Sequence, residues 1–590
     1  MNLIKERVSN LDAAQVRKLI IEDEYNDETQ FWELLSVFGD VVNDETARKD
    51  PNFMRVCEDC MTYIVNKGDP GELLYSLLEQ ADAIHDNTKL YMFLNLIKTC
   101  IFRNPAKFMF SVELSLVTLS DCISSFQVVN DQHDLKMDTE DQPVDETDIV
   151  KAEQAVAAYI DFIEAIVNEM HNVQTDEHKS QDMKKCCAIE KYVLKIFDQP
   201  LASSDLSLVK DEVKPNARVL AEKGISLLEK LGVNIHEVVV NSLKHNHTIQ
   251  LKREQPRDNS DISNECELVS VVALGCLIYL AHVEKVGNNH SPCLLSKLGL
   301  FDIHLPIIQE LVAFASSTEV RRKGVALLEF HLQALKDEQI LLIHEQLRRP
   351  MFYQILGSLF DIMIYSSSQK LRQQCVHLIA PFIQLFDAKC RHLIFHKLFT
   401  TLKHAGALGL CVQLLKDQIE QNLKEDMPEN VEYADMNIKY FRDTHLEKLF
   451  DLITKLNDKA ATDLVEHSDR VISVLNLIRF CVLRNPKSKD VLGIWTFLPD
   501  IEKTFLQDLY TGVDMLKTHF RQELELLDAS SRGRGKEQPV DMCVSVGGCV
   551  LPVADKEEKV AIIQRATNTL DLIASLLARV SELIDMQRKK

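Results

Sequence analysis

The stretch ATDLVEHSDRVISVLNLIRFCVLRNP, from Ala461 to Pro486, reads as a helix start followed by about four turns of nearly all-round apolar surface. Ser468 can cap the first backbone donors, and Asp469 falls in the first turn, where the helix N-terminus favours an acid. Val471, Leu475, Ile478 and Val482 recur at helical spacing on one face, while Ile472, Leu477, Phe480 and Leu483 cover most of the rest. A helix apolar on nearly every side must be enclosed by other helices. Asn476 and Arg479, three residues apart on one flank, therefore need partners either inside the protein or on another one.

Outward from this stretch the same period recurs. Leu90, Phe93, Leu94, Ile97 and Ile101 form one amphipathic helix, and Val156, Tyr159, Ile160, Ile163, Ile166 and Val167 another. Further helices are predicted over 268–283, 305–316, 320–334, 352–365, 370–386 and 393–403. Lengths of about 11 to 17 residues with short polar connections suit paired antiparallel helices, and degenerate HEAT-like pairs of roughly 40 residues are the nearest repeat. Pro499 with Asp500 and Glu502 marks a helix start, continued by Ile501, Phe505, Leu509, Leu516 and Phe520. Leu570, Ile573, Leu577, Val580 and Ile584 close the chain with a packing seam. Valine-rich residues flanking Gly547 and Gly548 give one short β-hairpin signal near the C-terminus. The expected fold is all-α, an irregular HEAT-like helical-repeat solenoid with that one hairpin.

Two polar segments punctuate the pattern. Asn130 to Asp148 is acidic with few apolar residues and reads as a solvated loop. The second, around 246–265, is taken as a linker, which divides the chain into an N-terminal helical region, 1–245, and a C-terminal one, 266–590.

The chain has 590 residues, enough for about four ordinary domains or one extended array of repeats. Its 67 Lys and Arg against 89 Asp and Glu leave a formal charge of −22, which repels a phosphate backbone and suits a partner with a basic surface. Nucleic acid is not an expected partner. With neither a signal-like apolar core nor a run of about 18 apolar residues, no membrane association is expected and the location is read as cytoplasmic. Cysteines such as Cys100, Cys276, Cys411 and Cys481 sit inside apolar helical patterns, as small buried hydrophobes do in a reducing compartment.

No cofactor, metal or catalytic residue is assigned. Cys57 and Cys60 form a CxxC, but on a helical period and without a second ligand pair; His245 and His247 could seed a metal site that nothing nearby completes. The GRGK of Gly533 to Lys536 lacks the upstream glycine and the hydroxyl residue of a phosphate-binding loop. The expectation is a protein that is not an enzyme.

The runs TDLVEHSDRVISVLNLIRF, GIWTFLPDIEKTFL and DLIASLLARVSELI resemble the C-terminal half of the glomulin family. DPGELLYSLLE (Asp69 to Glu79), RKGVALLEF (Arg322 to Phe330) and HAGALGLCVQLLKDQIE (His404 to Glu420) extend the resemblance in matching order, over roughly residues 68 to 590. It implies an array of HEAT-like repeats whose C-terminal region binds the RING-box subunit of cullin–RING ubiquitin ligases. Covering the docking surface of the ubiquitin-loaded conjugating enzyme would make it a steric inhibitor of ubiquitin transfer. FKBP-type immunophilins are a weaker association of the same family.

Candidate partner-binding residues are the polar and aromatic ones set into the apolar C-terminal blocks: Asp469, Arg470, Asn476, Arg479, Trp495 and Phe505. Each has a structural reading beside the functional one. Trp495 and Phe505 fit a core, and Asn476 and Arg479 fit an internal ladder between repeats. A competing function is an acidic helical-repeat adaptor or transport scaffold for basic peptides or an immunophilin. Such carriers need a row of exposed inner-face aromatics at each repeat, and the two Trp of this chain, Trp32 and Trp495, lie far apart in sequence.

Overall fold

The computed structural model describes all residues except 1, 24, 82, 83, 85, 127–145, 173–178, 200, 209–213, 255–268, 288–294, 315, 316, 425–438, 532–542, 547, 548, 553–555 and 590. The expected acidic loop falls mostly outside the described residues. Its last three positions, 146–148, open a helix.

The described chain is built of helices, which form two compact units, Met1–Ala334 with Ser366–Ser368, and Leu335–Tyr365 with Gln369–Lys590. The longer helices of the first unit are α1 (Phe31–Val41), α2 (Pro51–Lys67), α3 (Pro70–Ala81), α4 (Asn87–Arg103), α5 (Phe108–Ser125), α6 (Glu146–Asn172), α7 (Lys179–Ile196), α8 (Asn216–Lys230), α9 (Ile235–Glu254), α10 (Val271–Ile278), α11 (Lys297–Ala313) and α12 (Thr318–Asp337). Most pack mainly on the next or next-but-one helix, as α3 does on α4 and α5, and α6 on α8. Neighbour-only packing of this kind is solenoid-like, because every helix covers the apolar stripe of one close by in sequence.

The division falls near residue 334, not at 246–265. α9 runs on to Glu254, and the Asn246 side chain clamps Val269 by donating to its carbonyl at 2.7 Å and accepting from its N–H at 3.2 Å. Chain on both sides of the expected linker therefore belongs to one unit.

Pro105–Ser125, with mean hydropathy 1.3, is long and apolar enough to cross a bilayer by length and composition, a stretch that the sequence reading passed over. In the fold it is a core element. Val112, Leu116 and Leu119 are fully buried, and Ser115 satisfies its hydroxyl on the Ser111 carbonyl at 2.7 Å.

Cations hold the short 3₁₀ turn Leu201–Ser203 and the irregular residues that follow it, to 208, inside the first unit. Lys323, 1% exposed, donates to the carbonyls of Ala202 and Ser204 at 2.6 and 2.7 Å. Arg218 bridges the Leu206 carbonyl, Glu222 and Glu284, and Arg322 reaches Asp205 and Glu319. A buried cation is tolerable only when its donors are met, and here backbone carbonyls meet them.

The second unit comprises α13 (Pro350–Tyr365), α14 (Gln369–Gln384), α15 (Ala388–Thr401), α16 (Ala405–Lys424), α17 (Asp443–Ile453), α18 (Ser468–Arg484), α19 (Ile494–Ile501), α20 (Gln507–Ser531) and α21 (Lys556–Lys589). Two strands, β1 (Cys543–Val546) and β2 (Cys549–Pro552), pair antiparallel between α20 and α21, with Val546 opposite Cys549. α18 lies between α16 and α21, and α21 packs also on α20. The seam of α21 does this packing: Leu570, Ile573, Leu577, Val580 and Ile584 are completely buried.

Candidate functional site

α18 begins at Ser468, which is the first helical residue and makes no capping bond; His467 precedes it. The approach is shaped instead by Asp463, whose carboxylate accepts from the N–H groups of Val465 and Glu466 at 2.9 and 3.1 Å. Val471, Val474, Leu475, Leu477, Ile478, Cys481 and Val482 form the core face, none more than 1% exposed. On the α16 side the backbones come close. A Cβ on Gly409 would sit 3.0 Å from the Asp469 carbonyl oxygen, so glycine is what lets these helices meet there.

Another flank, beside the α16 contact, is open. Ile472, Asn476 and Phe480 are half-buried, Arg479 is exposed, and Leu483 is 49% exposed although the sequence pattern placed it among enclosed residues. Their spacing puts all five on one helical stripe. Lys416 of α16 lies 5.7 Å from the Phe480 ring centroid and covers part of it. Among the described residues Arg479 and Asn476 make no hydrogen bond or ion pair, so this flank carries an amide, a cation and apolar surface without internal partners.

The six candidate residues separate into three kinds. Asp469, Asn476 and Arg479 present side chains outward along α18. Arg470 turns inward: its guanidinium donates to the Ile453 carbonyl at 3.2 and 3.0 Å and also to the Lys455 carbonyl, so it caps the C-terminus of α17. Burial pulls this guanidinium below its ordinary pKa. Trp495 and Phe505 are structural anchors. The indole N–H of Trp495 donates to the Asn485 carbonyl at 2.9 Å, and Phe505 is 1% exposed.

Asn485, 1% exposed, organises the turn after α18. Its side-chain oxygen accepts from Val491 and Leu492 N–H at 2.7 and 3.2 Å while its amide donates to Asp490. Asp490 in turn accepts from the N–H groups of Ile494 and Trp495, both at 3.1 Å. That carboxylate starts α19 at Ile494, so Pro499 lies inside the helix rather than at its beginning. A π-helical segment, Glu502–Leu506, follows the proline and leads into α20. Gly493 supplies the left-handed φ of +70° just before α19, where a side chain would run into Asp443.

Residues 221–573, which include all of α18 to α20, match the family described as "Uncharacterised protein family, YAP/Alf4/glomulin". Glomulin of Mus musculus is 26% identical over 584 residues, a match that spans 97% of this chain and 90% of the mouse protein. Glomulin of Homo sapiens is 26% identical over 533 residues, spanning 89% of this chain and 83% of the human protein.

Proposed function

Because this chain belongs to the YAP/Alf4/glomulin family, we propose that it binds the RING-box subunit of cullin–RING ubiquitin ligases in the cytoplasm and blocks docking of the ubiquitin-loaded conjugating enzyme. It acts without catalysis, as a steric inhibitor of ubiquitin transfer. The observation that carries this reading is the open flank of α18, where Asn476, Arg479 and Leu483 stand without internal partners among the described residues, on a helix packed against α16 and α21. Arginine flanked by apolar surface is the composition that dominates protein interfaces. Masking needs a rigid complementary surface of about 1,200–2,000 Å² in total, not a reaction centre, and a stack of helices supplies one.

Partner contact falls to Asp469, Ile472, Asn476, Arg479, Phe480 and Leu483. Arg470, Trp495 and Phe505 act behind them, by fixing α17 and the turn into α19.

The test is a reconstituted cullin–RING reaction with purified full-length chain, run beside a pull-down with the isolated RING-box subunit and with a basic peptide. Capture of the RING-box subunit with a dose-dependent fall in ubiquitin transfer is expected. Unchanged transfer at saturating protein, or capture of the peptide alone, overturns the reading.

A further inference from the structure

Three helices of the first unit bring histidines together that lie far apart in sequence. His236 stands in the first turn of α9, His282 in the π-helical segment Tyr279–Val283 that ends α10, and His304 in the middle of α11. One ring nitrogen from each lies within 4.8 Å of the other two. The rings form a chain, with centroids 5.2 Å apart for His236 and His282 and 5.3 Å for His282 and His304. A fourth ring, His331 of α12, places its Nε2 3.0 Å from Nδ1 of His304.

Two observations set this group apart from a stack of core rings. Nε2 of His282 is buried from solvent and has no hydrogen-bond partner among the described residues, a costly arrangement for a neutral imidazole unless something else takes the lone pair or the proton. The His304–His331 bond also fixes complementary tautomers, since one nitrogen must donate and the other accept. With His304 as donor, its remaining nitrogen keeps a lone pair, which is the arrangement by which a neighbouring acceptor orients a metal-bound histidine.

We propose that His236, His282 and His304 bind one divalent transition-metal ion of the zinc class, with His331 orienting His304, so that the ion ties together α9, α10 and α11. Imidazole nitrogen suits zinc, copper or nickel and does not suit magnesium or calcium. A tetrahedral zinc ion with Zn–N of about 2.0–2.1 Å needs its nitrogens about 3.4 Å apart, so the rings close by roughly 1 Å or slightly more on binding. His236 and His282 are only half-buried, so the group is not sealed from solvent. Burial depresses the pKa of all four rings, His282 to about 4 and His331 to about 3, which keeps them neutral and able to coordinate at pH 7. The fourth position is left to water, because three protein ligands make an open site.

The experiment is calorimetric titration of Zn²⁺ into the chelator-treated full-length chain at pH 7.4, with Co²⁺ absorption as a second reading of geometry. One ion per chain is expected, with the visible bands of tetrahedral cobalt and a higher melting temperature with metal. His236→Ala, at a half-buried position, and His282→Gln should each weaken binding at least tenfold. The pair His245→Ala and His247→Ala, exposed further along α9, should leave it intact. Absence of saturable binding, or binding by His236→Ala equal to that of the parent, overturns the site. If His282→Gln fails to fold, His236→Ala with the cobalt spectrum decides.

Discussion

The two compact units bury their polar groups differently. Among the described residues, the first unit encloses Arg218, Lys323, His304 and His331, whereas in the second the buried polar side chains are His392, Gln418, Thr462 and Asn485, none of them a fixed charge. In the first unit, cations are consumed by internal carbonyls and carboxylates, which pins an irregular segment at the expense of availability. In the second, helix ends are held by half-exposed carboxylates such as Asp490, by the Asn485 amide and by half-buried Arg470, and Arg479 on the same helix as Arg470 remains in water. A cation held by internal acceptors is no longer available to a partner, whereas one left in water is.

The largest test of this contrast is Lys323→Met. The variant leaves the carbonyls of Ala202 and Ser204 without their donor, at a cost of about 2–4 kcal/mol in urea unfolding. Burial lowers the Lys323 pKa from 10.5 to about 8, so between those values the unfolded chain binds more protons than the folded one and this group adds stability as pH rises. The stability gap between parent and variant should therefore widen by about 1 kcal/mol per pH unit over that window. Taking the difference cancels the buried thiols, which act in the opposite direction: burial pushes Cys57, Cys60 and Cys481 to about 12, and their contribution is lost as pH climbs above 9. A gap that narrows instead would show that the carbonyls of Ala202 and Ser204 outweigh the burial of Lys323 and hold it as a charge.

Arg470→Ala tests the second unit at intermediate size. Loss of the cap on α17 should lower stability by about 1–2 kcal/mol, while the folded variant binds the RING-box subunit as the parent does. A loss of affinity at unchanged stability would move Arg470 back to the surface role that the sequence suggested.

Arg470 also shows where the sequence was legible and where it was not. Periodicity is a local signal, so the seam from Leu570 to Ile584 and the core face of α18 could be read directly, and both are buried as their spacing requires. The Arg470 acceptors lie 15 and 17 residues upstream, and nothing in the spacing distinguishes a cap on another helix from a free cation. Pro499 misleads for the same reason: the groups that start α19 are Asp490 and Asn485, joined through a turn and not through a local capping pattern. The apolar count of α18 could not show that Leu483 stays half-exposed, because burial depends on where neighbouring helices end. His245 and His247 drew notice by lying close in sequence, yet His236, His282 and His304 converge only through helix packing.

Arg479→Glu carries the smallest expected change in stability and the sharpest functional one. The side chain is exposed and has no partner among the described residues, so the melting temperature should move by no more than a surface substitution allows, about 0.5 kcal/mol either way. On the proposed function, charge reversal here should weaken RING-box binding about tenfold, or about 1.4 kcal/mol, and relieve inhibition of ubiquitin transfer in proportion. Leu483→Asp, one turn further along the same stripe, tests the apolar part of the surface, where desolvating a carboxylate should reduce affinity while the fold is kept. If Arg479→Glu lowers the melting temperature and leaves affinity intact, the guanidinium serves the interior after all. The second unit would then handle its cations as the first does, and the partner surface would have to be sought away from α18.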